Sequence, residues 1–124
     1  MRVLVCGDRN WTDVDAIHNR LFLVALDTPP SKITVIHGAA RGADQIAHRV
    51  ARELGCAVMP FPADWVRYGR AAGPVRNRQM LVEGRPDRVL AFHNNLSESR
   101  GTADMVRRAR KAGIPVEVIT SHGE

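Results

Sequence analysis

With 124 residues the chain has room for one domain, spanning 1–124, around a single core, and excludes an enzyme that joins a cofactor domain to a separate substrate domain. Hydrophobic residues at 44% and charged residues at 25% are ordinary globular values and exclude a disordered or low-complexity chain. A net charge of +5 admits nucleic acid as a partner, but the arginines that supply it are scattered along the chain, and the densest run, residues 107–111, sits late in a helix where cations complement the C-terminus and face solvent; nucleic acid is therefore not the expected partner.

Residues 2–6 (RVLVC) read as a first apolar strand. Asp13 then caps a helix whose apolar positions Val14, Ile17, Leu21 and Val24 recur at helical spacing, until Thr28-Pro29-Pro30-Ser31 stops it. Residues 32–37 (KITVIH) make a second strand, and residues 43–54 a helix with Ile46, Ala47, Val50 and Leu54 on one face and Gly55 as its stop. A third strand covers 57–61. The connection 62–73 shows no obvious structure, and at twelve residues it is long enough to expect a functional lid. A helix follows with Pro74 in its first turn and Gly84 at its close. Strands over 88–93 and 116–120 complete the pattern, separated by a loop over 94–100 and a helix over 102–112 that ends before Gly113 and Pro115.

No apolar run approaches a membrane span, and the chain enters its first strand without a secretory h-region, so a cytoplasmic protein with no membrane partner is expected. Cys6 and Cys56 lack CxxC spacing and lie on apolar segments; they read as reduced core residues, with neither a disulfide nor a metal site.

Alternating strands and helices with continuous apolar strands imply an α/β domain of three layers, a mainly parallel five-stranded sheet with helices on both faces. In such sheets ligands bind beyond the carboxyl ends of the strands, where the strand order reverses. Three glycine-bearing turns fall on that edge: Cys6-Gly7-Asp8-Arg9, residues 37–44 (HGAARGAD) and residues 99–104 (SRGTAD). Glycine lets an anion approach backbone N–H groups at a helix start, and the neighbouring Arg41 and Arg100 suit phosphate oxygens, so a phosphorylated small molecule is the expected ligand. Trp65 and Tyr68 in the long connection either stack a base or pin the loop to the domain. His37 and His93 end strands near the site and read as structural, since no nucleophile or carboxylate is fixed beside them by spacing.

The segments GDRNWTD, HGAARGAD, FPADW followed by YGRAAGPVRNRQM, and SRGTADMVRRARKAGIPV occur in that order over almost the whole chain. Together they resemble the YspA-like branch of the SLOG superfamily, kin of the Lonely Guy (LOG) cytokinin-activating enzymes and more distantly of DprA. The resemblance implies a Rossmann-like domain that binds nucleotides or nucleotide-derived ligands, as a sensor in some branches and as a phosphoribohydrolase in LOG. Arg76 stands four residues before Met80, as the catalytic arginine of LOG does in its RKxxM segment, and Gly101-Thr102 match the GT of PGGxGTxxE. Asp104, one position nearer the Gly-Thr pair than the glutamate of the motif as written, is the carboxylate that the resemblance puts in the place of the functional glutamate, and Ser99-Arg100 stand before the Gly-Thr pair where the family has a PGG run. Both departures bear more on glycosidase activity than on phosphate binding.

The ligand is accordingly expected against Gly7 and Arg9, against Gly38, Arg41, Gly42 and Asp44, against Trp65, against Arg76 and Asn77, and against Ser99, Arg100, Gly101 and Thr102; Arg76 and Asp104 are the catalytic pair if the protein is an enzyme. No cofactor is expected. The leading expectation is a nucleotide-ligand sensor or binding module, monomeric or a small homo-oligomer. The alternatives are a phosphoribohydrolase cleaving the N-glycosidic bond of a nucleoside monophosphate, and a single-stranded nucleic-acid binder, for which Trp11, Trp65 and Tyr68 are few platforms.

Overall fold

Strand β1 (Arg2–Gly7) sends Val3 and Val5 to one face of the sheet and Leu4 and Cys6 to the other, as the two-residue period of a strand requires. Both sets are buried, so both faces must be covered. The computed structural model of the protein describes residues 1–121 and shows how. On the first face Val3 and Val5 pack with Leu90 and Phe92 of β4 (Arg88–Phe92) beneath α1 (Val14–Asp27) and α2 (Ala43–Leu54). On the second, Leu4, Cys6, Val89 and Ala91 pack with Met80 of α4 (Ala72–Gly84) and Met105, Val106 and Ala109 of α5 (Gly101–Lys111). Phe92 is fully buried, and truncating such a side chain to alanine costs about 3–5 kcal/mol.

The sheet has five strands in the order β3-β2-β1-β4-β5, with β2 at Thr34–His37, β3 at Ala57–Pro60 and β5 at Val116–Ile119, and every pairing is parallel. The chain steps outward from β1 to β3, then returns to the far side of β1 with β4. The strand order therefore reverses between β1 and β4, and the crevice beyond their carboxyl ends is the place where such sheets bind ligands. Among the described residues, no helix is long and apolar enough to cross a membrane.

Most element ends fall within one residue of the sequence expectation, and three places differ further. Strand β2 begins at Thr34, because Pro30–Lys32 forms a 3₁₀ turn that Pro30 initiates. The connection 62–73 is not structureless: the Asp64 carboxylate accepts the Arg67 N–H at 3.0 Å and caps a helical turn, α3 (Trp65–Tyr68), after which Gly69–Ala71 makes a 3₁₀ turn into α4. Pro74 falls within the first turn of α4, where no backbone donor is missed. Gly84 is the last residue of α4, and Arg85 supplies the left-handed cap at φ 50°. The glycine there serves packing instead, since a Cβ would stand 3.1 Å from Ile36 Cδ1. The Asp13 cap, which accepts the Ala16 N–H at 3.1 Å, and the Gly55 cap, at φ 92°, are as the sequence indicates.

Candidate functional site

A cavity of about 390 Å³ opens beyond the carboxyl ends of β1 and β4, with Cys6 and Met80 among its lining residues. It brings together Gly7, Arg9, Asp44, Arg76, Asn77 and the turn 99–102 from four separate segments of the chain. A second hollow of about 520 Å³ adjoins it; Gly38, Arg41 and Trp65 line this one, and Arg9, Ala40 and Arg76 belong to both. Of the residues expected at the site, Gly42 and Asp104 line neither hollow.

The turn between β2 and α2 spends its donors internally. Asp44 is buried, and its Oδ2 accepts the N–H groups of Gly38 at 3.1 Å and Ala40 at 3.2 Å. Burial raises this carboxyl to about pH 6, against the opposing pull of the Ala40 N–H, the Arg76 charge and the Gly38 N–H. His37 Nδ1 accepts the Ala39 N–H at 3.0 Å, so the ring proton sits on Nε2 and is donated to His48 Nδ1 at 2.8 Å. Burial first, then His48 and Arg76, lower the His37 pKa to about 4; this histidine is neutral and structural, as read from sequence. The turn is thus held by its own side chains, and Ala39 is kept there at φ 58°, a left-handed conformation unusual for a residue with a Cβ.

Arg76 closes the arrangement from α4. Its Nη1 donates to the Gly38 carbonyl at 2.5 Å and its Nε to Asn77 Oδ1 at 3.1 Å. Nη2 has no protein partner among the described residues, so a donor remains at the boundary of both hollows. Burial lowers the Arg76 pKa, Asp44 raises it and Arg9 lowers it further, which marks a partly desolvated cation beside a second one.

Asn77 is buried and links the two helices of the second layer. Its Nδ2 donates to the Gly101 carbonyl at 3.1 Å and to Asp104 Oδ2 at 3.0 Å. Asp104 also accepts Arg107 Nη2 at 2.9 Å and Arg108 Nε at 2.8 Å, so its carboxylate is committed to the frame of the site. Ser99 Oγ accepts the N–H groups of Thr102 at 3.0 Å and Ala103 at 3.4 Å, so from one residue before the N-cap Arg100 it satisfies two donors of the first turn of α5 and is also part of the lining.

The glycines divide by role. A Cβ on Gly38 would collide with the Arg76 guanidinium, one on Gly7 with the Phe92 carbonyl, and one on Gly42, at φ 73°, with the backbone of Asp8 and Arg9. These three let backbone segments and Arg76 come together. Only at Gly101, among the four glycines expected at the site, would a Cβ meet nothing within 4 Å, so it alone leaves space for a ligand to approach a helix start.

Sequence reasoning did not count Asp8 and Asn10 among the site residues and read His93, at the end of its strand, as structural; all three line the cavity. His93 follows β4 directly, and its Nδ1 accepts the Asn95 N–H at 3.0 Å, which leaves Nε2 as the second ring nitrogen. Trp11, by contrast, is core: it is buried edge-on to Phe92 with centroids 5.7 Å apart, and Nε1 donates to the Asp13 carbonyl. Trp65 and Tyr68 are both exposed, and Arg67 sits over the Tyr68 ring at 5.1 Å. Cys6 and Cys56 are free, buried thiols.

Residues 1–68 match the family model described as YspA, cpYpsA-related SLOG family. The chain is also 43% identical over 120 residues to the Gene 61 protein of Mycobacterium phage D29, with 93% of each chain covered.

Proposed function

The chain belongs to the YspA, cpYpsA-related SLOG family, and from that premise we propose that it binds a nucleotide or nucleotide-derived phosphorylated ligand at the carboxyl edge of the sheet, as a sensor or binding module. The observation that carries this reading is the state of Arg76. A half-buried guanidinium that lines both hollows, anchored through two of its nitrogens and with no partner for Nη2 among the described residues, is preorganised for an anion. Arg9 and Arg100 line the same cavity, and the open start of α5 at Gly101 adds a favourable dipole. The phosphate is assigned to Arg76, Arg9 and the turn 99–102, not to the backbone of the turn 37–44, whose Gly38 and Ala40 N–H groups serve Asp44.

Binding without efficient turnover is favoured over N-glycosidic cleavage because Asp104, the carboxylate that the resemblance to LOG puts forward as catalytic, lies on Asn77, Arg107 and Arg108 and does not line the cavity. A carboxylate that stabilises an oxocarbenium-like centre must reach it. Native mass spectrometry of the purified protein, followed by calorimetric titration of nucleoside monophosphates, tests the reading. A nucleotide should bind, and Arg76→Ala should weaken it by roughly 1.5–3 kcal/mol, the range of a charge-assisted hydrogen bond. Absence of any nucleotide binding, or affinity unchanged in the variant, overturns the proposal. Release of free base by the unmodified protein would restore the enzyme reading.

A further inference from the structure

A third hollow, of about 590 Å³, lies between α3 and the outer side of α4, where Tyr68, Val75, Arg78, Gln79, Val82 and Glu83 line it. The five α4 residues stand at i, i+3, i+4, i+7 and i+8, which is one face of a helix, and it is turned away from Ala72, Asn77 and Met80, the side chains of α4 that pack inward. This is not a purely polar face. Val82 is 61% exposed, and Tyr68 and Val75 are exposed beside it. Valine is a weak helix former that gains nothing from water, and adjoining exposed apolar side chains mark a contact surface. The charges on the same face are also without partners in the chain. Arg78 and Glu83 are five residues apart, outside the three- and four-residue spacing at which helix side chains pair, and neither enters an ion pair among the described residues. A twofold axis pairs them, because it sets residue i of one copy against residue j of the other and j against i. Two α4 helices laid antiparallel about an axis between Gln79 and Val82 bring each Arg78 against Glu83 of the other copy, with the Val82 side chains close to the axis. The other exposed apolar cluster, Phe22, Leu23 and Leu26 on α1, has its nearby arginines, Arg20 and Arg88, already held by Glu117.

We propose that the protein is a homodimer closed on this face, α4 against α4 of a second copy, with Arg78 of each paired to Glu83 of the other. Like charges at both positions would make the face repel its own copy; opposite signs at matched distances from the axis make it self-complementary. Solvent-exposed ion pairs add little affinity, so Tyr68, Val75 and Val82 hold the two copies together and the charges fix their register. The inference is independent of the nucleotide-binding reading, since the face shares no residue with the cavity at β1 and β4 and only Pro62 with the hollow at Trp65.

Sedimentation velocity of the full chain over a range of concentrations should show a species of twice the chain mass. Leu26, Arg78, Val82 and Glu83 are all exposed in the single chain, so substitutions there should leave folding unaffected. Val82→Glu should give a monomer, whereas Leu26→Glu on α1 should leave the dimer intact. Arg78→Glu and Glu83→Arg should each weaken the dimer by about tenfold or more, because both contacts then oppose like charges. The double variant restores the pairs in reverse and should dimerise again. An equimolar mixture of the two single variants should also recover the dimer, since one copy then carries both acids and the other both bases; such recovery is specific to a twofold contact between these positions. An unmodified chain that stays monomeric at every concentration, a dimer that survives Val82→Glu or is lost in Leu26→Glu, or single variants that neither the double substitution nor the mixture rescues, overturns the proposal.

Discussion

Asn77 donates from Nδ2 to Asp104 Oδ2 at 3.0 Å, and this contact decides which way the Asn77 amide faces. With its NH2 group held by Asp104 and the Gly101 carbonyl, its oxygen is left to accept Arg76 Nε. Asp104 thereby aims Arg76 at one remove. The Asp104 carboxylate is thus tied through Asn77 to the arginine.

That relay predicts separable effects. Asp104→Asn should lower stability by about 1–3 kcal/mol in urea unfolding, because Asn77, Arg107 and Arg108 lose a charged acceptor. Asn77→Ala should cost a similar amount and also reduce nucleotide affinity as far as Arg76→Ala does, since the guanidinium keeps only its Gly38 anchor. Affinity unchanged in Asn77→Ala would mean that Arg76 needs no second anchor.

Two glycines that look alike in sequence should respond in opposite ways. Gly38→Ala places a Cβ on the Arg76 guanidinium and should displace it, with nucleotide affinity falling about 10- to 100-fold, as a lost charge-assisted contact implies. Gly101→Ala meets no protein atom and starts a helix, so stability should hold or rise by about 0.4–1 kcal/mol. Thermal melts and calorimetry of the two variants check the contrast.

The two tryptophans should separate in the same manner. Trp11→Ala empties a site beside Phe92 and should cost about 3–5 kcal/mol of stability. Trp65→Ala, on an exposed turn, should leave the melting temperature within a degree or two, as roughly expected for a surface change, while weakening nucleotide binding.

The architecture was legible because each strand and helix carries its own period. The run RVLVC, the Asp13 cap and the Gly55 stop each act within a few residues of sequence. The meeting of the three glycine turns was legible for the same reason, since glycine turns at the ends of β1 and β2 and before α5 must share the carboxyl edge of a parallel sheet. What the glycines do there was not. Whether a missing Cβ admits a ligand or another part of the chain depends on which segment lies opposite, and Gly38 faces an arginine 38 positions away. Asp44 and Asp104 pose the same question: as carboxylates at helix starts they could face a ligand or the protein, and only tertiary partners show that Asp44 lines the cavity while holding Gly38 and Ala40 and that Asp104 lies on Asn77, Arg107 and Arg108. The Trp65–Tyr68 turn was hidden because its cap, Asp64, lies among prolines and small residues that read as loop.

The last prediction concerns acid and rests on two neighbours with opposite shifts. Asp44 is raised from 3.8 to about 6, so between those values the folded protein holds a proton that the unfolded chain has released, and stability falls as pH rises through the window. His37 is lowered from 6.5 to about 4; there the unfolded chain holds the extra proton, and stability rises with pH, the gain being fully present above 6.5 and lost toward 4. The two contributions cover nearly the same range and oppose one another. In urea unfolding at pH 4, 5, 6 and 7, Asp44→Asn should therefore gain stability relative to the unmodified protein as pH rises, by up to ~1.4 kcal/mol per unit, the value for one proton. An asparagine oxygen can still accept from Gly38 and Ala40, so the turn itself should survive. His37→Asn should lose stability over the same range at a comparable slope. Both variants tracking the unmodified protein at every pH would show that neither group titrates differently when folded, and would remove the neutral His37 from the account of how the turn 37–44 is held.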